Sequence, residues 1–277
     1  HFITKTSPSK RYSIKRCLKL QISYMNDLQK VEVLFERNGV LAINKPAGLP
    51  TQAPWDIESV ESQIRQQNFH RLFEEALASG ETRHPGGFLG VPHRLDRAVS
   101  GVMLLALTPR AARQLSRQFE RRQIKKTYVA IVESTEALPV SEEPFIWRDA
   151  IRKVSGEPRV EVVKTHDSHA KPACTKGFVL VSSKDRCVLK LHPETGRMHQ
   201  LRIQAACRGM PIVDDALYGS APMENIRYQP IALHAWSIEY DDPENKQRVA
   251  AHAPVTETSL WMYWRDAISS RIQTESR

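Results

Sequence analysis

The 277-residue sequence lacks several features that would place it in well-known classes. No apolar run approaches the roughly 20 residues of a membrane-spanning helix. The glycine-rich stretch 84–90 lacks the spacing and the lysine of a P-loop, so it does not predict a phosphate cradle. Cysteine is scarce and no CxxC pair occurs, which predicts free thiols in a reducing compartment rather than a disulfide framework, at Cys17, Cys174, Cys187 and Cys207.

A metal site is also not indicated. His166 and His169 have a spacing that would suit a metal, but no cysteine or carboxylate cluster accompanies them. We therefore expect two exposed loop histidines and no metal.

Acidic residues are outnumbered, with 31 Asp and Glu against 40 Lys and Arg and a pI of about 9.5. This excess predicts a polyanionic partner, and nucleic acid is favoured over membrane because no basic amphipathic anchor stands out. Residues 1–26 contain six basic residues and no acid, a composition shared with organelle transit peptides. The alternation of apolar and polar residues over 18–24 favours a basic, RNA-facing arm or leading strand over 1–28. We expect a cytoplasmic protein.

The apolar and charged fractions, 41% and 26%, are those of a globular domain with a substantial core. Asn38-Gly39 predicts the turn of a hairpin, and Thr108-Pro109 predicts the start of a helix. Periodicity predicts an α+β protein with helices over 56–79, 109–122 and 198–208 and strands over 31–35, 40–44, 102–107, 127–132, 148–151, 160–165, 177–181 and 187–191.

The stretch 93–101, HRLDRAVSG, places one carboxylate, Asp96, between Arg94 and Arg97, directly before the apolar run 102–107. The run has the length of a buried strand, so Asp96 is predicted at the mouth of a core strand. Two neighbouring cations favour the ionised form of a carboxylate, which can then act as a covalent nucleophile. An ordinary surface ion pair on a turn is the alternative.

Two further stretches carry candidate binding residues. Four cations lie within 121–126, and Tyr128 follows on a predicted strand; basic and aromatic side chains together hold an RNA backbone and stack on a base. In 194–212, the spacing of Arg197, His199 and Arg202 allows the three side chains to surround one small volume. A solvated helix end and an ordinary amphipathic helix are the respective alternatives.

Taken together, these motifs resemble the RluA family of RNA pseudouridine synthases over about residues 31–255. The blocks that carry the resemblance are LAINKPAGLPT, HRLDRAVSGVMLLAL, KKTYVAIV, ETGRMHQLRIQAACRGMPIVDDALYG and ALHAWSIEY. The resemblance implies an α+β pseudouridine synthase fold, with a long, bent, mainly antiparallel sheet, flanking helices and a central active-site cleft. It implies a catalytic domain over 29–270, a tail over 271–277 and a reaction without cofactor or metal.

The resemblance also implies roles for individual residues. Asp96 would be the nucleophile, attacking C1′ of the ribose or C6 of the uracil. Tyr128 would stack on the flipped uracil, and Arg202 would pair with Asp96. Arg94 would occupy the space left by the target base, and Leu233 would line the pocket floor. The remaining candidate substrate-binding residues are Arg97, Arg197, His199, Lys125 and Lys126.

Four positions depart from the family pattern, namely Gln52, Val99, Gln204 and Asp214. None coincides with the three candidate catalytic residues, so the departures concern substrate contacts. We expect a monomer that modifies RNA, with large-subunit ribosomal RNA as the first candidate and transfer RNA as the next.

Two other classes stay open from the sequence. One is an RNA-binding protein that has lost catalysis. The other is a retaining glycoside or nucleoside hydrolase with Asp96 as nucleophile. Such a hydrolase needs a second carboxylate roughly 5 Å from the first, and Asp214 and Asp215 are the candidates embedded in a motif.

Overall fold

The computed structural model describes residues 31–79, 87–164, 166–219, 230–255 and 259–274. The predicted basic arm and Cys17 lie outside this part of the chain, as do residues 275–277 of the predicted tail. Among the described residues, no helix combines the length and apolar character that crossing a membrane requires.

The described chain forms ten strands and five helices. The strands are β1 (Glu32–Arg37), β2 (Val40–Lys45), β3 (Ser100–Ala106), β4 (Lys125–Glu133), β5 (Phe145–Lys153), β6 (Val160–Val163), β7 (Lys171–Ser182), β8 (Arg186–Pro193), β9 (Leu233–Asp241) and β10 (Arg248–His252). The helices are α1 (Val60–Ser79), α2 (Pro109–Glu120), α3 (Gln200–Ala206), α4 (Ser259–Met262) and α5 (Arg265–Thr274). Helix α5 runs without a break across the predicted domain boundary at residue 270.

All ten strands belong to one sheet in the order β1-β2-β3-β9-β4-β8-β7-β5-β6, with β10 paired to β9. The pairing of β3 with β9 is parallel, and the others are antiparallel. The predicted α+β class and mainly antiparallel sheet are confirmed.

The parallel pairing is a short seam in which Ser100 faces His234 and Gly101 faces Ala235. Gly101 has a φ of 116°, and a Cβ built on it would lie 2.3 Å from the carbonyl oxygen of Ala235. An L side chain neither adopts this φ readily nor fits this space, so the seam requires glycine.

His234 fixes the same seam from the side. Its Nε2 lies 3.1 Å from the carbonyl oxygen of Ala253, which can only accept, so Nε2 carries the proton. Nδ1 therefore accepts from the Ser100 hydroxyl at 2.8 Å. Burial lowers the pKa of His234 to about 4, so the imidazole is neutral at physiological pH.

The buried apolar residues form two main clusters, one on each side of this seam. The first surrounds β2 and β3 and is covered by α1 and α2, with Met103, Leu104 and Leu115 fully buried. The second surrounds β4 and β8 and includes Trp261 and Ile268 near the C-terminus. Tyr128 packs against both clusters, so the residues around it lie where the two halves of the core meet.

Several predicted elements are confirmed with changed bounds. The hairpin turn at Asn38-Gly39 has the positive φ angles, 48° and 75°, of a type I′ turn. Thr108 caps α2 as predicted, accepting from the Ala111 N–H at 3.1 Å. The first helix begins at Val60 rather than 56, because the Ser59 hydroxyl accepts from the Ser62 N–H and marks the helix start.

The prediction of a helix over 198–208 was too long. His199 has a left-handed φ of 49°, so α3 begins at Gln200 and ends at Ala206. Met198, which precedes the helix, is 40% exposed. Strands β5 and β7 are longer than predicted, because they pair with each other from Phe145 opposite Gly177 to Ile151 opposite Lys171.

Candidate active site

An open cleft of about 1160 Å³ crosses the sheet next to Tyr128, lined mainly by residues from 92–99, 119–128 and 193–202. It brings together nine of the ten predicted site residues, namely Arg94, Asp96, Arg97, Lys126, Tyr128, Arg197, His199, Arg202 and Leu233. Lys125 does not line the cleft. Its side chain is 74% exposed and lies 4.0 Å from Glu239, because neighbouring strand residues point to opposite faces.

Residues 46–51 hydrogen-bond to the loop that carries Asp96 and fix its position. The Thr51 hydroxyl donates to the Leu95 carbonyl at 2.8 Å and accepts from the Leu95 N–H. Gly48 and Arg97 form a reciprocal pair, in which the Gly48 N–H donates to the Arg97 carbonyl and the Arg97 Nε donates to the Gly48 carbonyl, both at 2.7 Å. Arg97 therefore lines the cleft and also holds this loop in place.

Arg202 joins two carboxylates. Its Nε and Nη2 donate to the two oxygens of Asp215 at 2.6 and 2.7 Å, a bidentate pair. Its Nη1 lies 3.5 Å from Oδ2 of Asp96. The predicted pairing with Asp96 is thus the longer of the two contacts. Burial lowers the pKa of Arg202, but the hydrogen bonds and charge of Asp215 outweigh it and raise that pKa overall.

His199 approaches Asp96 from the same side. Its Nε2 lies 3.7 Å from Oδ2 of Asp96, and its Nδ1 lies 2.9 Å from the Tyr218 hydroxyl. That hydroxyl accepts from the Val160 N–H, which leaves its own hydrogen for Nδ1. Burial lowers the pKa of His199 against the opposing charge of Asp96, so the ring is neutral and its Nε2–H faces the carboxylate.

Tyr218 was not among the predicted site residues. Besides holding His199, its ring lies under the Arg202 guanidinium, 5.1 Å from centroid to Cζ. The sequence feature that could have indicated Tyr218 was its position in the DDALYG block, which belongs to the same motif as the candidate residues.

Tyr128 lies across the cleft with its ring partly buried between the two core clusters. Burial raises its pKa, and the charge of Asp96 raises it further. The phenol therefore keeps its proton at physiological pH. Nearby, burial lowers the pKa of Lys126 to about 8.

Lys45 was also missed. It is fully buried, and its Nζ donates to the carbonyls of Pro46 and Leu49 at 2.8 and 2.7 Å and to that of Arg97 at 3.3 Å. Burial lowers its pKa to about 7, with Asp96 opposing the shift and Arg97 adding to it. Lys45 thus links residues 46–51 to the loop that carries Asp96. The sequence feature that could have indicated this residue was its position in the NKPAG block.

The carboxylates proposed for a hydrolase do not line the cleft. Asp214 is exposed, and both oxygens of buried Asp215 accept from Arg202. Neither is placed to donate a proton to a leaving group beside Asp96. The described part of the chain holds no group of three or more potential metal ligands, and His166 and His169 are exposed.

The fold and this cleft define a class: an α+β enzyme in which one carboxylate, held near a buried arginine and an aromatic ring, faces a basic cleft. Comparison with known proteins makes the class specific. The family model described as RNA pseudouridylate synthase matches residues 39–207. The chain belongs to this family and is an isomerase that converts uridine in RNA to pseudouridine, and the resemblance to RluA-type enzymes is confirmed.

Individual relatives agree with this assignment. An uncharacterized RNA pseudouridine synthase of Zymomonas mobilis is 37% identical over 224 residues, 80% of this chain and 93% of the relative. Ribosomal large subunit pseudouridine synthase C of Buchnera aphidicola from Schizaphis graminum is 29% identical over 90% of this chain and 74% of its own length. The structure of human RNA pseudouridylate synthase domain containing 4 covers 94% of this chain and 98% of its own, with a TM-score of 0.63 and 22% identity, and supports the fold.

Proposed function

We propose that this enzyme isomerises selected uridines of large-subunit ribosomal RNA, with Asp96 as the nucleophile. The observation that carries the role of Asp96 is its position in the cleft, with Arg202 Nη1 at 3.5 Å and His199 Nε2 at 3.7 Å from one oxygen. The substrate is supported by the relative named as a large-subunit enzyme and by the net charge of +9.

In the proposed reaction, the Asp96 carboxylate forms a bond to C1′ of the ribose or to C6 of the uracil. The bond between N1 and C1′ breaks, the base rotates, and C5 bonds to C1′. The bond to Asp96 breaks again, which restores the carboxylate; C5 loses its proton, and N1 ends protonated. No atom is gained or lost overall, so the net reaction consumes no co-substrate, and we propose that it proceeds without a cofactor.

The target base must leave the RNA helix to reach Asp96, because a stacked base is inaccessible. Tyr128 provides an aromatic face beside Asp96, and Leu233 provides an apolar surface. Arg94 is exposed at the mouth of the cleft, where it can occupy the space that the base leaves. Since Tyr128 keeps its proton, we assign its ring a stacking role and do not assign it the role of base.

We further infer that the enzyme acts as a monomer in a reducing compartment, the cytoplasm, and that its partner is RNA. The free thiols of Cys174, Cys187 and Cys207 support a reducing compartment. Light scattering of the purified protein at several concentrations would test the monomer.

The deciding experiment is pseudouridine mapping of cellular RNA by carbodiimide-stop sequencing, in cells with and without the gene. We expect one or more sites in large-subunit ribosomal RNA to disappear, and to return with wild type but not with Asp96→Asn. Asp185→Asn, on the exposed β7–β8 turn, is the matched control and should restore every site. Sites lost only from transfer RNA would replace the proposed substrate, and full activity of Asp96→Asn would remove Asp96 as nucleophile.

Binding separates catalysis from recognition. The Asp96→Asn variant keeps the basic residues of the cleft, so we expect its affinity for RNA to be within about threefold of wild type. Binding by wild type without conversion of any uridine would instead indicate a protein that only binds RNA.

A further inference from the structure

Helix α2 carries a row of arginines that the active site does not use. Arg110, Arg113, Arg117 and the C-terminal capping residue Arg121 are separated by three, four and four positions, which places them on one side of the helix. All four are exposed. We call them the arginine face. The opposite side packs on β3 and β9 through Ala111, Leu115 and Gln118.

The arginine face has no carboxylate partners in the described part of the chain. Six other arginines of the described chain do have them, in the pairs Arg37–Asp242, Arg65–Glu61, Arg71–Glu36, Arg152–Glu161, Arg159–Glu157 and Arg248–Asp241. Isolated surface pairs contribute little to stability, but their absence from one contiguous face leaves a concentrated positive charge.

This arrangement is unfavourable for the helix itself. Arg113 and Arg117 are like charges four residues apart, as are Arg117 and Arg121, and such pairs oppose helix formation. Arg110 lies in the first turn, where the positive end of the helix dipole disfavours a cation. Arg117 and Arg121 lie at the C-terminal end of the helix, where the dipole favours cations. Stability therefore explains these two at most, and an anionic ligand would explain the whole row.

The face is continuous with the catalytic cleft. Phe119 and Glu120, at the end of α2, line the cleft, and so does Arg122 directly after it. From Arg121 back to Arg110 the helix rises about 16 Å, at about 1.5 Å per residue. The arginines therefore extend the positive surface of the cleft outward along α2.

We propose that the arginine face binds the phosphate backbone of the substrate RNA on one side of the target uridine, independently of sequence. Guanidinium groups bind phosphate through paired N–H donors, and backbone contacts position an RNA without reading its bases. An anionic membrane is the less favoured ligand, because the apolar side of α2 is buried against the sheet and cannot insert. The proposal rests on the proposed function, since it extends the footprint of the same RNA.

The test uses the triple variant Arg110→Gln/Arg113→Gln/Arg117→Gln in the full chain. The charge-matched control is Lys184→Gln/Arg186→Gln/Arg271→Gln, which changes exposed residues of the β7–β8 turn, of the start of β8 and of α5. Strand β7, on which α5 packs, lies four strand spacings from β3, or about 19 Å. A third variant with lysine at positions 110, 113 and 117 retains the charge.

Binding is measured with two RNA hairpins that share one loop, with stems of about 5 and about 20 base pairs, as a function of salt. For the longer hairpin we expect the triple glutamine variant to lose about tenfold in affinity and its salt slope to become shallower by about two to three. The short hairpin should lose less than about threefold, because its stem does not reach along α2. The lysine variant should restore the slope, and the control should match wild type.

Three results would overturn the proposal. The first is an equal loss of affinity for both hairpins, and the second is a loss of affinity in the control as large as in the triple variant. The third is a lowered melting temperature of the triple variant, since removing like charges should leave α2 as stable or more stable. Binding to phosphatidylserine vesicles that depends on the face, without RNA dependence, would assign it to lipid instead. Because these are binding and melting measurements, they decide the proposal even if wild type converts no uridine, a result that would count only against the proposed function.

Discussion

Arg202 is a buried cation with two carboxylate neighbours, and the two have different tasks. Asp215 is 2% exposed and accepts hydrogen bonds from Nε and Nη2 of Arg202, whereas Asp96 faces the cleft. In the proposed reaction, Asp96 becomes a neutral ester or adduct when it bonds to the substrate, and its charge no longer compensates the guanidinium. Asp215 therefore keeps Arg202 paired throughout the reaction, which a buried cation requires.

Replacing Asp215 by Asn tests this division of tasks. We expect the free energy of unfolding to fall by about 3–5 kcal/mol, because the variant leaves a buried arginine without its bidentate partner. Turnover should fall as well, since Arg202 is no longer fixed beside Asp96. Urea unfolding and single-turnover kinetics measure the two effects.

The neighbouring carboxylate is a close control. Asp214 is exposed and has a φ of 65°, a conformation that asparagine also adopts, so Asp214→Asn should change stability by less than about 0.5 kcal/mol. Equal stability of the two variants would show that the Arg202–Asp215 pair contributes little.

Individual site residues differed in how far the sequence could locate them. Asp96, Tyr128 and Arg202 stand in dense motifs, and the described cleft contains all three. The contacts of Lys45 and Tyr218 were not predictable, because their partners Arg97 and Val160 are 52 and 58 residues away in the chain. Contacts between residues this far apart depend on the folded sheet, and the sequence around each residue does not indicate them.

Among the elements, the seam between β3 and β9 is the one that requires a specific residue type, glycine at position 101. Gly101→Ala would require a positive φ and bring a methyl group within 2.3 Å of the Ala235 carbonyl. We expect a loss of about 3 kcal/mol or more in unfolding free energy, measured by urea titration.

Gly156 separates the two contributions to that loss. It also has a positive φ, 76°, but a Cβ built on it meets nothing within 4 Å. Gly156→Ala should therefore cost only the backbone strain, about 1 kcal/mol. Equal losses at both positions would mean that the close approach at the seam contributes nothing.

The elements also show where periodicity reaches its limit. The hairpin of β1 and β2, the buried strand β3 and the capped helix α2 were predicted because each depends on local signals: turn residues, an apolar run and a Thr-Pro start. The start of α3 was not, since no rule of composition places His199 in a left-handed conformation. The parallel register of β3 and β9 was equally hidden, because it joins residues 134 positions apart.

At the scale of the whole molecule, two neutral histidines link stability to pH. His93 accepts from the Leu104 N–H through Nε2 at 2.9 Å, and burial, with a smaller effect of Lys126, lowers its pKa to about 3. His234 has a pKa of about 4. An unfolded histidine has a pKa of about 6.5, so below that pH the unfolded chain binds protons that the folded chain does not.

The contribution of these two histidines to stability should therefore be fully present above pH 6.5 and be lost as pH falls toward 4, by up to about 1.4 kcal/mol per pH unit for each histidine. His93→Gln keeps an acceptor for Leu104 but does not titrate, so its unfolding free energy should fall less steeply between pH 6.5 and 5. His252→Gln, at an exposed position of β10, should keep the wild-type slope. Urea unfolding at several pH values gives these slopes, and identical slopes for His93→Gln and wild type would contradict the assignment.

The position of β9 has a consequence for how the protein is made on the ribosome. This strand lies between β3 and β4, yet it is synthesised roughly 100 residues after β4 is complete. At about 5–20 residues per second, the nascent chain presents two unpaired strand edges for about 5–20 seconds. Exposed edges of this kind pair with other chains. Production of active enzyme should thus depend on chaperones that shield the growing chain until residue 241 emerges.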